Sequence, residues 1–196
     1  MIRIGVIGDI GSGKSYISKN IGFPIFNADK EVNKIYKKNR NVYKKLKKKF
    51  PNYIRSFPVD KKEISKVILK GNKNIKIINK IVHPEVSLRM KKFINKNKKK
   101  KAVILDIPLL LEGKIYKRND ILIFVEAKRR DINKRILNRP GFNKKIFNKL
   151  KKFQLPLEFK KNKANFIIKN NFKSLSVKKK CKMIKKEILN YERNSS

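Results

Sequence analysis

Residues 8–15 read Gly8-Asp9-Ile10-Gly11-Ser12-Gly13-Lys14-Ser15, and they follow the apolar run Ile2-Arg3-Ile4-Gly5-Val6-Ile7. The order predicts a buried strand, a glycine-rich turn closing on Gly-Lys-Ser, and a helix from Lys14 onward. Glycines let such a turn curl with its N–H groups pointing inward, where a triphosphate docks at the helix N-terminus. In this pattern the lysine reaches the β- and γ-phosphates and the serine hydroxyl holds Mg²⁺. Gly11, Ser12, Gly13, Lys14, Ser15 and Tyr16 are therefore the candidate ATP contacts, with Ser15 also a candidate metal ligand. A purely structural glycine turn is the alternative. Its placement between an apolar strand and a helix favours the nucleotide.

Outward from this turn, short apolar runs separated by helical patterns continue along the chain. Strands are expected at 2–7, 24–27, 102–106, 121–126 and 166–169, and helices at 14–20, 30–38, 128–138 and about 174–191. Fully apolar strands alternating with helices predict a parallel sheet buried on both faces, hence a three-layer α/β sandwich. The long interval 28–101 holds no strand pattern and reads as helices at 42–50, from Asp60, and from 72 toward 97. Asp60 followed by Glu63 is expected to form an N-terminal capping pair. An insertion of that size at the carboxyl edge of the sheet would cover the ligand crevice. Residues 129–163 are a second candidate cover, with basic side chains that repel one another until an anion arrives.

At 196 residues the chain suits one α/β domain with a well-buried core. The first apolar run is too short for a secretory leader, and no stretch approaches the length of a membrane span. Cys181 is the single cysteine, so no internal disulfide is possible and a cytoplasmic location is expected. The net charge of +41 suggests nucleic acid or an anionic membrane as a partner. Yet only ten of the 55 basic residues are arginine, and the lysines are spread over nearly every polar segment. With Lys, Asn and Ile all abundant, the composition reads as base bias in the coding sequence. No specific nucleic-acid or membrane partner is expected, and a monomer is favoured.

Three acidic positions carry chemistry. Asp29 follows the run Phe26-Asn27-Ala28 at the end of a strand expected to lie two strands from the first, roughly 10 Å away. A carboxylate there could accept the proton of an acceptor hydroxyl, although Asp is also a favoured helix cap, and spacing leaves both open. Asp106 ends the strand Val103-Ile104-Leu105, where phosphate-loop enzymes place an acid near Mg²⁺. Glu112 follows within Pro108-Leu109-Leu110-Leu111-Glu112 and faces the same edge. Against a lysine background the arginines are informative, because a guanidinium binds phosphate bidentately. Arg135 and Arg139 are four apart and are expected on one face of a helix, where both could neutralise a transferring phosphoryl group. His83 is the sole histidine and precedes Pro84, a pair that ordinarily breaks a helix.

Together these segments resemble the dephospho-coenzyme A kinase family, along nearly the whole chain. The family's opening looks like residues 7–15, its Asp-Ala-Asp signature like Asn27-Ala28-Asp29, and its His-Pro like His83-Pro84. Its Asp-Ile-Pro-Leu-Leu-Phe-Glu stretch looks like Asp106-Ile107-Pro108-Leu109-Leu110-Leu111-Glu112, the most discriminating segment. Lys134-Arg135, Arg139, Gln154, Ala164-Asn165 and Ile168-Lys169-Asn170 follow its lid and tail. The resemblance implies a nucleotide-kinase-like P-loop NTPase fold with a helical substrate domain and a lid. The expected core is 1–28 with 101–128 and 164–196, the coenzyme A region 29–100, and the lid 129–163, all within a single domain 1–196.

The resemblance also implies the reaction, ATP with Mg²⁺ phosphorylating the ribose 3′-hydroxyl of dephospho-coenzyme A. Asp29 inherits the base, Lys14 and Ser15 the phosphate and metal roles, and Arg135 a γ-phosphate role assisted by Arg139. Asp106 stays a metal candidate. His83 and Glu112 are assigned to the acceptor, and Asn170 to the adenine. Asn27, Asp9 and Tyr16 depart from the pattern, and Asn143-Lys144-Lys145 lacks the usual Ser/Thr-Arg opening of the lid. A different phosphate-loop kinase for a small molecule or nucleotide is the alternative. A basic nucleic-acid binder switched by ATP is a reading of another class.

Overall fold

The apolar runs become strands β1 (Ile2–Gly8), β2 (Ile25–Asn27), β3 (Ala102–Asp106), β4 (Ile121–Glu126) and β5 (Phe166–Lys169) in a computed structural model that describes residues 1–193. They form one parallel sheet in the order β2-β3-β1-β4-β5. Strands β3, β4 and β5 match their expected bounds residue for residue. Every β3 residue is buried, as a central strand of a doubly covered sheet requires. Pro24 stands just outside β2 because a proline has no N–H for the ladder, though its carbonyl accepts from Ile104 N at 2.8 Å.

Side chains alternate between the two faces of the sheet. On one face Ile4, Val6, Ile104, Ile123 and Val125 pack with Ile17 and Ile21 of α1 (Lys14–Ile21) and with Val177, Cys181 and Ile188 of α9 (Ser174–Arg193). On the other, Gly5 lies beneath Leu110 and Leu122, where any added side chain would collide with both. Two further helices belong to this sheet-bearing unit, α6 (Arg129–Leu137) and α8 (Leu157–Asn162). The unit comprises Met1–Asn27, Ile94–Phe142 and the chain from Phe153 onward.

The second unit comprises Ala28–Phe93 and Asn143–Lys152. Its helices are α2 (Ala28–Lys38), α3 (Arg40–Lys49), α4 (Lys61–Lys70), most of α5 (Asn72–Lys96), and α7 (Lys144–Lys151), which packs on α4. Ile35, Leu46, Ile54, Val67, Ile78 and Val82 make its own core. Tyr36 sits in that core, where burial pushes its phenol up to about 12. The segment 129–163 is thus shared, with α6 and α8 in the sheet-bearing unit and α7 in the helical one.

Local details correct two sequence expectations. Asp60 does cap α4, its Oδ1 accepting from Lys62 N at 2.8 Å. Glu63, however, does not reach back to close a capping box. Its Oε1 accepts from Arg55 N at 3.0 Å and Ser56 N at 3.2 Å, holding the loop ahead of the helix. Nor does His83-Pro84 break α5, which runs through the proline. One missing N–H bond is tolerated there because Ile78 and Val82 hold the preceding turns in the core.

Cys181 is fully buried against Ile17, and burial pushes its thiol up to about 11. A thiol reagent such as DTNB should therefore leave the native protein unlabelled at pH 8, and react stoichiometrically once denaturant unfolds it. Rapid labelling under native conditions would contradict this packing.

Candidate active site

The turn between β1 and α1 has the geometry its glycines predict. Gly13 holds a left-handed φ of 94°, and a side chain there would strike the Asn170 amide. Gly11 has φ 85°, and a Cβ on it would lie 2.7 Å from Ile136 Cδ1, so α6 rests directly on the loop. Lys14 folds back across the turn, donating from Nζ to the carbonyls of Asp9 at 2.7 Å and Gly8 at 3.3 Å. Ser15 is exposed in the first turn of α1. The Ser12 hydroxyl is buried beside Gly8 with no partner among the described residues. Buried donors of this kind are ordinarily satisfied, and this hydroxyl is the loop's one unpaired buried side-chain donor among the described residues.

Asn170 braces the loop from behind. It is buried just past β5, donates from Nδ2 to Ser12 O at 2.8 Å, and accepts from Phe172 N at 2.9 Å through Oδ1. Both ends of its amide therefore serve the protein. Tyr16, exposed on α1, pairs its hydroxyl with Ser174 Oγ at 2.8 Å and so laces α1 to the start of α9.

Asp106 is buried at the carboxyl end of β3, in register with Asn27 of β2. Asn27 Nδ2 donates to Asp106 Oδ2 at 2.5 Å. An amide at position 27 meets the neighbouring carboxylate as a donor, where a second ionised carboxylate would repel it. Within the described residues no group of three or more His, Cys, Asp or Glu could hold a metal.

Asp29 stands exposed in the first turn of α2, which starts at Ala28 directly out of β2. It lies inside the helix, not at the N-cap position that the alternative reading required. Its neighbour Glu31 belongs to no motif in the sequence yet pairs with two cations. Glu31 accepts from Lys34 Nζ at 2.6 Å and Arg89 Nη1 at 3.2 Å, while Arg89 Nε donates to Glu85 at 3.0 Å. Burial would raise the Glu31 pKa, but the bonds from Lys34 and Arg89 prevail and hold it below its ordinary 4.5. Arg89 thereby ties the helix that carries Asp29 to α5, which carries His83. His83 is exposed on α5, and the loss of hydration that it does suffer lowers its pKa from 6.5, so the imidazole is neutral at pH 7.

Three expectations change. Arg139 does not share a helix face with Arg135, because α6 ends at Leu137 and Arg139 lies beyond the Asn138 cap. The following Pro140 disfavours helical backbone at position 139. Glu112 is not turned out toward a ligand. Its Oε1 pairs with the buried Lys160 Nζ at 2.6 Å and accepts from Leu155 N at 3.0 Å, binding α8 to the loop after β3. Lys160 had no distinguishing local pattern among so many lysines. Finally, Asn143 supplies the cap that the missing Ser/Thr would give, its Oδ1 accepting from Ile146 N at 3.0 Å at the start of α7. Arg135, exposed on α6, carries its guanidinium 4.6 Å from the centre of the Phe172 ring.

A carboxylate whose pKa is lowered on folding stabilises the fold above its unfolded value, and that contribution disappears as pH falls through the folded value. Arg89→Ala should therefore cost about 1 kcal/mol at pH 7, and the deficit should shrink as acid protonates Glu31 in the folded protein. Melting temperatures of the two proteins from neutral to acid pH test it. A deficit that stays the same throughout the acid range would show that Arg89 acts through packing alone.

A family model described as dephospho-CoA kinase matches residues 2–175. The dephospho-CoA kinase of Bartonella quintana (strain Toulouse) is 34% identical over 170 residues, 84% of this chain and 87% of that protein. That of Ehrlichia canis (strain Jake) is 33% identical over 196 residues, 97% and 96% of the two chains. Two solved structures share the fold at 24% identity. TT1252 from Thermus thermophilus has a TM-score of 0.78, covering 96% of this chain and 97% of its own. The dephospho-CoA kinase from Campylobacter jejuni has a TM-score of 0.67, covering 97% and 98%. With the family's model spanning residues 2–175 and relatives 33–34% identical across most of its length, the chain belongs to the dephospho-CoA kinase family.

Proposed function

We propose that the protein transfers the γ-phosphoryl group of ATP to the ribose 3′-hydroxyl of dephospho-coenzyme A, giving coenzyme A and ADP, the last step of coenzyme A synthesis. The observation that carries this reading is the family match over residues 2–175, which takes in the phosphate loop, Asn27-Ala28-Asp29 and the run from Asp106 to Glu112.

The acceptor oxygen attacks the γ-phosphorus, the bond to the β–γ bridging oxygen breaks, and the hydroxyl proton passes to the Asp29 carboxylate. Lys14 exchanges its two carbonyl partners for the β- and γ-phosphates, while the loop amides and the Ser12 hydroxyl bind phosphate oxygens. Arg135 neutralises charge on the moving phosphoryl group from α6, Arg139 assists from the segment beyond that helix, and Asn170 keeps the loop in shape. His83, neutral at pH 7, offers the acceptor a hydrogen bond without a charge. The Glu112–Lys160 pair supports the chain after α7 and does not touch the acceptor in this reading.

Mg²⁺ fits the residues present. It prefers hard oxygen ligands, retains waters, and takes one or two protein oxygens beside the phosphates. The Ser15 hydroxyl and the Asp106 carboxylate, one strand over from β1, are such a pair. When bound, the ion would offset the charge of the phosphate oxygens.

Asp9 sets the terms of ATP binding in this chain. Its Oδ1 accepts from Ile10 N at 2.7 Å, occupying one of the loop amides with the protein's own carboxylate. A phosphate must compete with that carboxylate for the same amide and overcome its charge.

Asp29→Ala should keep the ATP dissociation constant within about threefold while lowering kcat by at least about a hundredfold. Transfer surviving within a few-fold of the parent would sink the base assignment. Asp9→Ala should bind ATP about threefold or more tightly, with Asp9→Asn in between, since it removes the charge but keeps an acceptor. Calorimetric titration with ATP decides this, and unchanged affinity in Asp9→Ala would mean that the carboxylate does not compete.

A further inference from the structure

We infer that Phe172 is a positioning residue for phosphoryl transfer, a platform that orients the Arg135 guanidinium toward the phosphate loop. The inference rests on the reading of Arg135 given above and adds the residue through which it acts.

Phe172 has a left-handed φ of 60°, a conformation a bulky aromatic residue adopts only when its surroundings impose it. The surroundings are on view. Asn170 Oδ1 takes Phe172 N at 2.9 Å and Asn171 Oδ1 takes Lys173 N at 3.1 Å, two successive side-chain turns that reverse the chain between β5 and α9. Asn170 is in turn fastened to the phosphate loop through Ser12 O. The ring so delivered lies at the loop, with Cε1 3.5 Å from where a Cβ on Gly13 would stand. Its face carries the Arg135 guanidinium at 4.6 Å.

Arg135 is referenced to the loop a second time through its own helix. Ile132 and Ile136 of α6 pack onto Gly11, and Arg135 is the residue before Ile136. Helix α6 therefore sets where the arginine starts, and the Phe172 ring sets where its guanidinium rests. A guanidinium held over a ring face spends no N–H donor on that contact, so the fork stays available to phosphate oxygens. Holding the group there in advance removes a reorganisation otherwise incurred as charge develops, so the gain appears in kcat. A ring that merely filled space would need no left-handed backbone and no cation above it.

Steady-state transfer from ATP to dephospho-coenzyme A by Phe172→Leu, Phe172→Tyr, Arg135→Ala and the double variant Phe172→Leu/Arg135→Ala tests this, with melting temperatures confirming that each is folded. Phe172→Leu should lower kcat about threefold to tenfold while the KM for ATP moves less than about twofold. Phe172→Tyr, which keeps the ring, should restore kcat to within about twofold of the parent. In the Arg135→Ala background the Leu substitution should cost nothing further, because the group it positions is gone. Should Phe172→Leu prove unfolded, Phe172→Met replaces it in both backgrounds with the same expectation. Parental kcat in Phe172→Leu beside a crippled Arg135→Ala overturns the platform alone. Undiminished activity in Arg135→Ala overturns the reading of Arg135 and the platform with it. A full, independent loss from Phe172→Leu in the double variant also overturns it, placing the ring's effect on the loop.

Discussion

The curl of residues 8–15 depends on a contact made behind it, the Asn170 amide bound to Ser12 O and pressed against Gly13. Position 13 requires glycine, since its φ is left-handed and no side chain fits where Asn170 stands. Asn170 itself continues the sheet ladder, donating from its backbone N–H to Glu126 O at 2.7 Å. The loop after β1 and the chain after β5 are thus held to one another with β4 between them. From that bracket follow the curl of the loop that Lys14 folds across and the turn that presents Phe172.

Charge works in an unusual regime in this chain. With 55 basic residues against 14 acidic ones, cations are background and each carboxylate is informative. Asp120 pairs with Arg3 at 3.0 Å at the end of the sheet remote from the phosphate loop. Glu31 ties α2 to α5, and Glu112 captures Lys160, whose side chain is only 2% exposed. An exposed pair contributes little, whereas a buried ammonium deprived of its partner costs several kcal/mol. Among the described residues, Glu112–Lys160 and Arg3–Asp120 are therefore the pairs whose loss the fold would feel most.

Departures from the family pattern are absorbed by local chemistry. Asn27 donates to Asp106 across adjacent strands, so the buried carboxylate keeps a partner without a second charge beside it. Asn143 caps α7 as a Ser or Thr would. Tyr16 reaches Ser174 instead of adding a small hydroxyl at the loop. Only Asp9 alters the loop itself, by engaging an amide within it.

The sequence by itself determined whatever is settled within a few neighbouring residues. The strands at 102–106, 121–126 and 166–169, the glycine turn before Lys14, the cap at Asp60 and the last helix follow from hydrophobic period and backbone preference, which are local. The resemblance was legible for the same reason, since its motifs are short contiguous strings. Only the tertiary structure decided which distant groups share a hydrogen bond. Ser12 and Asn170 are 158 positions apart, Asn27 and Asp106 79, and Leu155 and Glu112 43. Such pairs leave no period, so Glu112 read as a ligand group, Lys160 as one more surface lysine, and Glu63 as half of a capping box. The end of α6 before Arg139 was legible in the neighbouring Pro140. The reversal at Phe172 was hidden, because it depends on side chains and backbone meeting in three dimensions, where packing and hydrogen-bond satisfaction override local propensity.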